Sequence, residues 1–384
     1  MRLSPPKALS YWRRLYTDAI ILRSLIDVCQ LGRFADAALA ASCIARSDHA
    51  IVIAGAPGEG RLELVTFLIR QVQLNCLGFD AAAAITDTAL PLTRNSGALT
   101  PLSLDTASAS VPQLRSPPSL SAFVSQYSKH PFVLSGFISD WPALNEHPWR
   151  SPAYLRAVAG PGRVVPVEVG SDYRDDDWTQ TMMPWGEFLE ALEPGVKYKR
   201  MLYLAQHNLL LQFPQLREDI MLPDYVYAPL PPPEGFPGYR PPGNEDRLVL
   251  NAWLGPAGTV SPAHTDPYFN FYAQVVGQKT VWLAPPDATS CMYPYPPPFS
   301  HSAASEHTHN PAANNTNPSM SNTSQVDVFQ GPNHAHGKWP LFWKEVVPRA
   351  MSVTLQPGDL LFFPPGWWHA MRSEEGSFSV SMWF

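Results

Sequence analysis

The sequence predicts an α+β chain in which a small helical N-terminal segment precedes a β sandwich or barrel, and three observations predict it. Apolar residues recur at helical spacing from residue 11 to about residue 74. From about residue 119 onward, short runs of β-branched and aromatic residues are bounded by Pro and Gly. The 42 prolines among 384 residues, about twice ordinary usage, exclude long helical arrays from most of the chain. A chain of 384 residues exceeds one ordinary core and divides more naturally into two domains. A hydrophobic content of 45% against 16% charged residues excludes wholesale disorder and a coiled-coil protein.

In the first helix Leu15, Ala19, Leu22, Ile26 and Cys29 fall on one stripe, with Gly32 as the stop. An Ala-rich second helix is expected at about 34–45 and a third at about 62–74. Between them the row IVIAGAPGEG imitates a phosphate loop. Such a loop needs Lys and then Ser or Thr after its last glycine, and here Arg61 and Leu62 follow, so the segment reads as an interhelical turn. These helices form a helix-pair domain over 1–80. Residues 81–118, rich in Ala, Ser, Thr and Pro without periodicity, read as a linker. The β domain then fills 119–384, with strands expected at 132–134, 163–169, 248–254, 270–276, 279–283, 351–355, 360–363 and 377–383. Two insertions interrupt it. Residues 228–243 hold seven prolines, and 295–325 are rich in Pro, Ser, Asn and His. The histidines of the second, His301, His307 and His309, belong to a low-complexity loop and not to a metal site.

The net charge is −6 and the basic residues are scattered apart from Lys197, Lys199 and Arg200, so nucleic acid is not an expected partner. Four cysteines without a CxxC pair favour a reducing compartment. No apolar run is expected to reach the ~18 residues that span a bilayer, so no membrane partner is expected. Arg13 and Arg14 stand where a secretory leader would be apolar, which leaves the sequons at Asn314 and Asn322 idle.

The chemistry concentrates in the rows GTVSPAHTDPYFN and PGDLLFFPPGWWHAM. His264 and Asp266, two apart, point to the same face of an extended backbone. Taken alone, this pair reads as a turn carboxylate beside a surface histidine. With His369 it becomes two imidazoles and one carboxylate, the set that holds non-haem Fe(II) with open positions opposite. Asn270 follows, Gly277-Gln278 suits a two-residue hairpin, and Lys279 opens the returning strand. A lysine inside an apolar, aromatic barrel is costly unless an anion meets it, and a dicarboxylate would supply that anion.

These rows, together with VPVEVGSDYRDDDWTQT, YLAQHNLLLQFPQLREDI, NTSQVDV, SFSVSMWF and the N-terminal LYTDAIILRSLIDV and IVIAGAPGEGR, make the chain resemble the JmjC-domain family of Fe(II)- and 2-oxoglutarate-dependent oxygenases. The resemblance implies a C-terminal double-stranded β-helix of the cupin type. It implies Fe(II) on His264, Asp266 and His369, and 2-oxoglutarate and O2 as co-substrates. It sets the distal carboxylate of 2-oxoglutarate on Lys279, with Tyr203, Ser261 and Asn270 as hydrogen-bond partners and Trp383 in the pocket wall. It maps a substrate cleft onto Glu168, Tyr173 and Trp253, with Gln206 facing the iron. The implied activity is hydroxylation of an arginine or lysine side chain in a protein or peptide, in the nucleus or cytoplasm. Two alternatives stand beside it: a histone lysine demethylase acting by N-methyl hydroxylation, and a catalytically silent cupin-fold scaffold. The longer stretches at 228–243 and 295–325 depart from the family pattern, and no chromatin-reading domain is expected after Phe384.

Overall fold

The computed structural model describes residues 7–31, 36–79, 92, 103–170, 174, 178–193, 196, 200–296, 320–331 and 337–384. Most of the expected linker, Tyr173, and the histidines at 301, 307 and 309 lie outside the described residues.

Three helices come first, α1 (Lys7–Leu31), α2 (Ala37–His49) and α3 (Arg61–Cys76). The Asp36 side chain caps α2 by accepting from the amides of Ala38 and Leu39. Residues Ala50–Ala54 prolong α2 as a π turn, and Gly55, at φ 76°, ends it. Arg61, where a phosphate loop would carry lysine, instead binds Asp18 of α1 through two hydrogen bonds of 2.6 and 3.1 Å. The expectation that no apolar run reaches bilayer length needs correction, because the continuous stretch Ala37–Ala54 is 18 residues long with mean hydropathy 1.3. Its buried side chains pack among the helices, and it carries the fully buried Asp48, which marks it as a core helix.

The stripe Leu15, Ala19, Leu22, Ile26 and Cys29 faces solvent. The buried face of α1 is instead Thr17, Ile20, Ile21, Ser24, Asp27 and Leu31. Polar members are tolerated there because they are paired: the Asp27 carboxylate meets Arg23 at 3.1 Å and Arg46 of α2 at 2.5 Å.

Among the described residues, fourteen strands follow. They are β1 (Ala109–Ser110), β2 (Gln113–Leu114), β3 (Phe132–Leu134), β4 (Val164–Val169), β5 (Thr179–Pro184), β6 (Leu202–His207) and β7 (Val249–Gly255), then β8 (Val260–Thr265), β9 (Asn270–Val276), β10 (Lys279–Ala284), β11 (Met351–Leu355), β12 (Leu360–Phe363), β13 (Trp368–Ser373) and β14 (Ser377–Trp383). One sheet runs β1-β11-β10-β13-β8 and the other β2-β3-β12-β9-β14-β7-β6-β4-β5. Tyr272, Val281, Leu283, Leu361, Phe363 and Met371 fill the space between the sheets. The outer face of the larger sheet, with Phe271, Ala273 and Val275, packs on Phe123, Trp149, Leu155 and Phe213. Every residue of β9, β10 and β14 is buried, which explains why these strands read as continuous apolar runs instead of alternating ones.

The expected hairpin at Gly277-Gln278 is not one. β9 pairs with β12 and β14 in one sheet, whereas β10 pairs with β11 and β13 in the other. Both edges of each strand are already taken, so the two residues carry the chain across the barrel wall, with Gly277 at φ 68° making the step. This crossing sets Lys279 at the mouth of β10.

A buried network ties the helices to the barrel. Asp48 accepts from the Arg163 guanidinium at 2.7 to 3.0 Å, from the Val164 amide at 2.9 Å and from Gln212 at 2.7 Å. Gln212 in turn meets His207 of β6 at 2.7 Å. The proline-rich segment 228–243 forms turns without strands, and Tyr239 packs edge-on against Phe269 at 4.8 Å. Its Phe236 lies so close to Gly366 that a Cβ there would come within 2.8 Å, so the segment covers the turn that leads to His369.

Candidate metal centre

Strand pairing brings the three expected metal ligands together. His264 in β8 stands directly opposite His369 in β13, and a bulge follows between His369 and Met371. Asp266 lies just past the end of β8, where its carbonyl accepts from the Gly366 amide at 2.8 Å. One ligand atom from each residue falls within 4.8 Å of the others. Asp266 carboxylate oxygens lie 3.9 Å from His264 Nε2 and 3.5 Å from His369 Nε2, and the two imidazole rings are 4.2 Å apart.

The ring nitrogens are oriented from behind. Nδ1 of His264 donates to the Pro262 carbonyl at 2.8 Å and Nδ1 of His369 to that of Trp367 at 3.0 Å. Both Nε2 lone pairs therefore aim at the space beside Asp266, the tautomer a metal requires. Burial, helped by the neighbouring His369, pushes the His264 pKa down to about 4, which keeps that ring neutral. Burial alone would raise Asp266, but the nearness of both imidazoles outweighs it and holds the carboxyl below its usual range. Outside β8, Asn322 brackets Thr265 with hydrogen bonds of 3.0 and 2.9 Å, so the amide of that sequon is engaged in holding the strand end.

Deeper in the barrel, Lys279 is 1% exposed, and its Nζ donates to Tyr272 Oη at 3.0 Å and Tyr203 Oη at 3.3 Å. Tyr203 also meets Ser261, and Tyr272 meets Ser379. Gly255 makes room for Tyr203, since a Cβ there would approach its ring to 2.7 Å. Burial pushes the Lys279 pKa down to about 7, and among the described residues no carboxylate faces it. Asn270 Oδ1 and Trp383 Nε1, on directly paired residues of β9 and β14, are buried without a hydrogen-bond partner among the described residues. A buried ammonium that no carboxylate faces, bonded to Tyr272 two residues along β9 from the orphaned Asn270 Oδ1, is the environment a small dicarboxylate would complete. The two-His, one-Asp donor set with inward lone pairs likewise suits Fe(II).

Sequence reasoning missed Tyr272, although its parity with Asn270 on β9 puts both on the inner face. On the rim, Glu168 of β4 pairs in register with Tyr203 and accepts from Trp178 Nε1 at 3.3 Å. Burial raises its pKa to about 7 against the weaker opposing effect of Trp178. Trp178 is a second residue the sequence did not flag. Trp253 donates to Ser381 at 3.0 Å and lies 6.2 Å from the Tyr203 ring. Gln206, expected at the iron, is exposed at a bulge of β6 with φ 48°, and is not part of the buried cluster around Lys279. Tyr173 lies outside the described residues.

The cupin-like domain family matches residues 121–384, and this chain belongs to it. Curated relatives carry the comparison further. The chain is 39% identical over 269 residues to lysine-specific demethylase 8 of Danio rerio, covering 70% of this chain and 56% of that protein. It is 37% identical over 319 residues to Jumonji C domain-containing protein 5 of Drosophila melanogaster, covering 81% and 67%. It is 38% identical over 276 residues to lysine-specific demethylase 8 of Xenopus tropicalis, covering 71% and 52%. The chain thus spans little more than half the length of the two vertebrate proteins.

Proposed function

We propose that this chain is an Fe(II)- and 2-oxoglutarate-dependent oxygenase that hydroxylates an arginine or lysine side chain of a protein. The observation that carries the reading is the pairing of an inward-facing His264, Asp266, His369 set with a buried, anion-less Lys279 in the same barrel. The names of the Danio and Xenopus relatives support protein substrates.

With O2, the bound iron and 2-oxoglutarate supply oxidation of a C–H bond, yielding succinate and CO2. The protein's residues do the rest. His264, Asp266 and His369 hold the metal on one side and leave the other open. Lys279 anchors the distal carboxylate of 2-oxoglutarate, and Tyr203, Tyr272 and Asn270 fix its direction. Phe363, 4.6 Å from the His369 ring, helps keep water from the centre. Glu168, ionised above about pH 7, meets a cationic side chain, with Trp178 bonded to it and Trp253 beside its strand partner Tyr203. The residue-level roles, the arginine or lysine target and a reducing nuclear or cytoplasmic setting belong to this reading.

A second reading, N-methyl lysine hydroxylation with loss of the methyl group, is favoured by the same relatives' names. Mass spectrometry of methylated and unmethylated arginine and lysine peptides, incubated with enzyme, Fe(II) and 2-oxoglutarate, separates the two. Gain of one oxygen on an unmethylated peptide supports the first reading. Loss of a methyl without such a gain supports the second, and neither change overturns both.

A further inference from the structure

The solvent face of α1 is the least expected surface of the molecule. Trp12, Leu15, Ala19, Leu22, Ile26 and Cys29 follow alternating spacings of three and four residues, the seam of a helix that packs against another helix. All six are exposed, with Trp12 at 68%, Leu15 at 57%, Leu22 at 63% and Ile26 at 54%. The opposite face already packs within the fold, so among the described residues α1 is apolar on two sides and partnered on one. With Tyr16 and Leu25 on its flanks the exposed seam offers roughly 700 Å2, taking the 150–250 Å2 an aromatic side chain carries as the scale. That exceeds the largest apolar patch of a typical monomer, about 300–600 Å2, and approaches the about 800 Å2 each partner contributes to a stable interface.

We propose that the chain forms a two-fold dimer in which α1 packs antiparallel against α1 of a second copy, crossing at Ala19. The seam is built for such symmetry. Trp12 stands seven residues before Ala19 and Ile26 seven after, so each Trp12 meets Ile26 of the other copy while the small Ala19 lets the backbones approach. Leu15 and Leu22 interdigitate between these points. Charge selects the orientation. Arg13 and Arg14 cluster near the N-terminal end, and the carboxylates of α1, Asp18 and Asp27, already face Arg61, Arg23 and Arg46. A parallel pair would set both arginine clusters side by side with only Asp18, which Arg14 shares with Arg61, to offset them, whereas the antiparallel pair keeps them at opposite ends. The inference is independent of the reaction proposed above.

Light scattering coupled to size exclusion on the whole chain, over about 1–100 μM, tests it. The wild type is expected to be a dimer, and Leu22→Glu and Ile26→Glu to raise the dissociation constant at least 100-fold while circular dichroism stays unchanged. Met221→Glu, an exposed position away from α1, leaves the dimer intact. A monomer at every concentration overturns the proposal, whether the seam then binds another protein or nothing. A dimer indifferent to Leu22→Glu overturns it equally. A spin label at Ser10, with Cys29, Cys76 and Cys291 changed to Ser, reports the orientation. Nine residues either side of the two-fold at 1.5 Å each give roughly 27 Å between copies, whereas a distance near 10 Å would mean parallel helices and refute the arrangement.

Discussion

Replacing Lys279 by Met is expected to stabilise the ligand-free protein and to weaken its hold on 2-oxoglutarate. The first effect follows from burial. The ammonium loses its proton near pH 7 in the fold, against 10.5 as its ordinary value, a gap worth ~5 kcal/mol against the charged form. The unfolded chain keeps this proton up to about 10.5, so the cost is fully present below pH 7 and fades as pH rises toward 10.5. Met removes it, at the expense of a donor to Tyr203 and Tyr272. That loss costs about 1–3 kcal/mol, because both phenols keep their serine partners. The net gain is roughly 2–4 kcal/mol at pH 7, or a rise in Tm of about 4–8 °C, and it shrinks at higher pH. The second effect has the opposite sign. Loss of a charge-assisted bond worth about 1.5–3 kcal/mol raises the KM for 2-oxoglutarate roughly 10- to 100-fold. Thermal denaturation from pH 7 to 10 and co-substrate titration at saturating Fe(II) read the two effects. A Met variant that is less stable than wild type at pH 7 and turns over with an unchanged KM refutes the assignment of Lys279 to a dry anion pocket.

His264→Ala, Asp266→Ala and His369→Ala are each expected to fold but to lose bound iron and 2-oxoglutarate decarboxylation, checked by metal analysis and succinate release; wild-type turnover in any one contradicts the ligand set. For Glu168, ionised above about pH 7, the KM of a cationic peptide is expected to fall as pH rises through 7, and Glu168→Gln to flatten that profile; a profile that Gln leaves unchanged removes Glu168 from substrate binding. Arg163→Ala, which strands the buried Asp48, is expected to cost about 3–5 kcal/mol in urea denaturation, and Asp48→Leu with Arg163→Met together clearly less. Equal losses in the single and double variants would contradict that account.

Much of the site was legible because the residues that carry it break local rules. A lysine opening a run that is otherwise apolar, and a His-x-Asp at a strand end, stand out without any knowledge of neighbours. The strands that are buried on both faces, such as 270–276 and 377–383, were also plain, since continuous apolar runs bounded by turns leave little choice. What failed needed long-range information. Nothing local distinguishes Gly277-Gln278 as a hairpin from the same dipeptide as a crossing between sheets; the partners of β9 and β10, up to about a hundred residues away, decide it. The two strands bearing His264 and His369 were not delimited either, because Val260–Thr265 and Trp368–Ser373 carry proline or histidine that weakens their pattern. In α1 the spacing gave the helix but not the face it buries. Two apolar stripes share the helix, and only the ion pairs of Asp27 and the contacts of Ile20 and Ile21 reveal which one turns inward.

The central claim, that this barrel oxidises a protein side chain with Fe(II) and 2-oxoglutarate, is tested most directly by isotope. Iron-loaded protein, 2-oxoglutarate and a mixture of arginine and lysine peptides are incubated under isotopically heavy dioxygen, and the products are read by mass spectrometry. The account predicts one heavy oxygen in succinate and one in a peptide, mapped to an arginine or lysine side chain, with both lost in Lys279→Met at low co-substrate concentration. Heavy oxygen in neither product from iron-loaded wild type contradicts it.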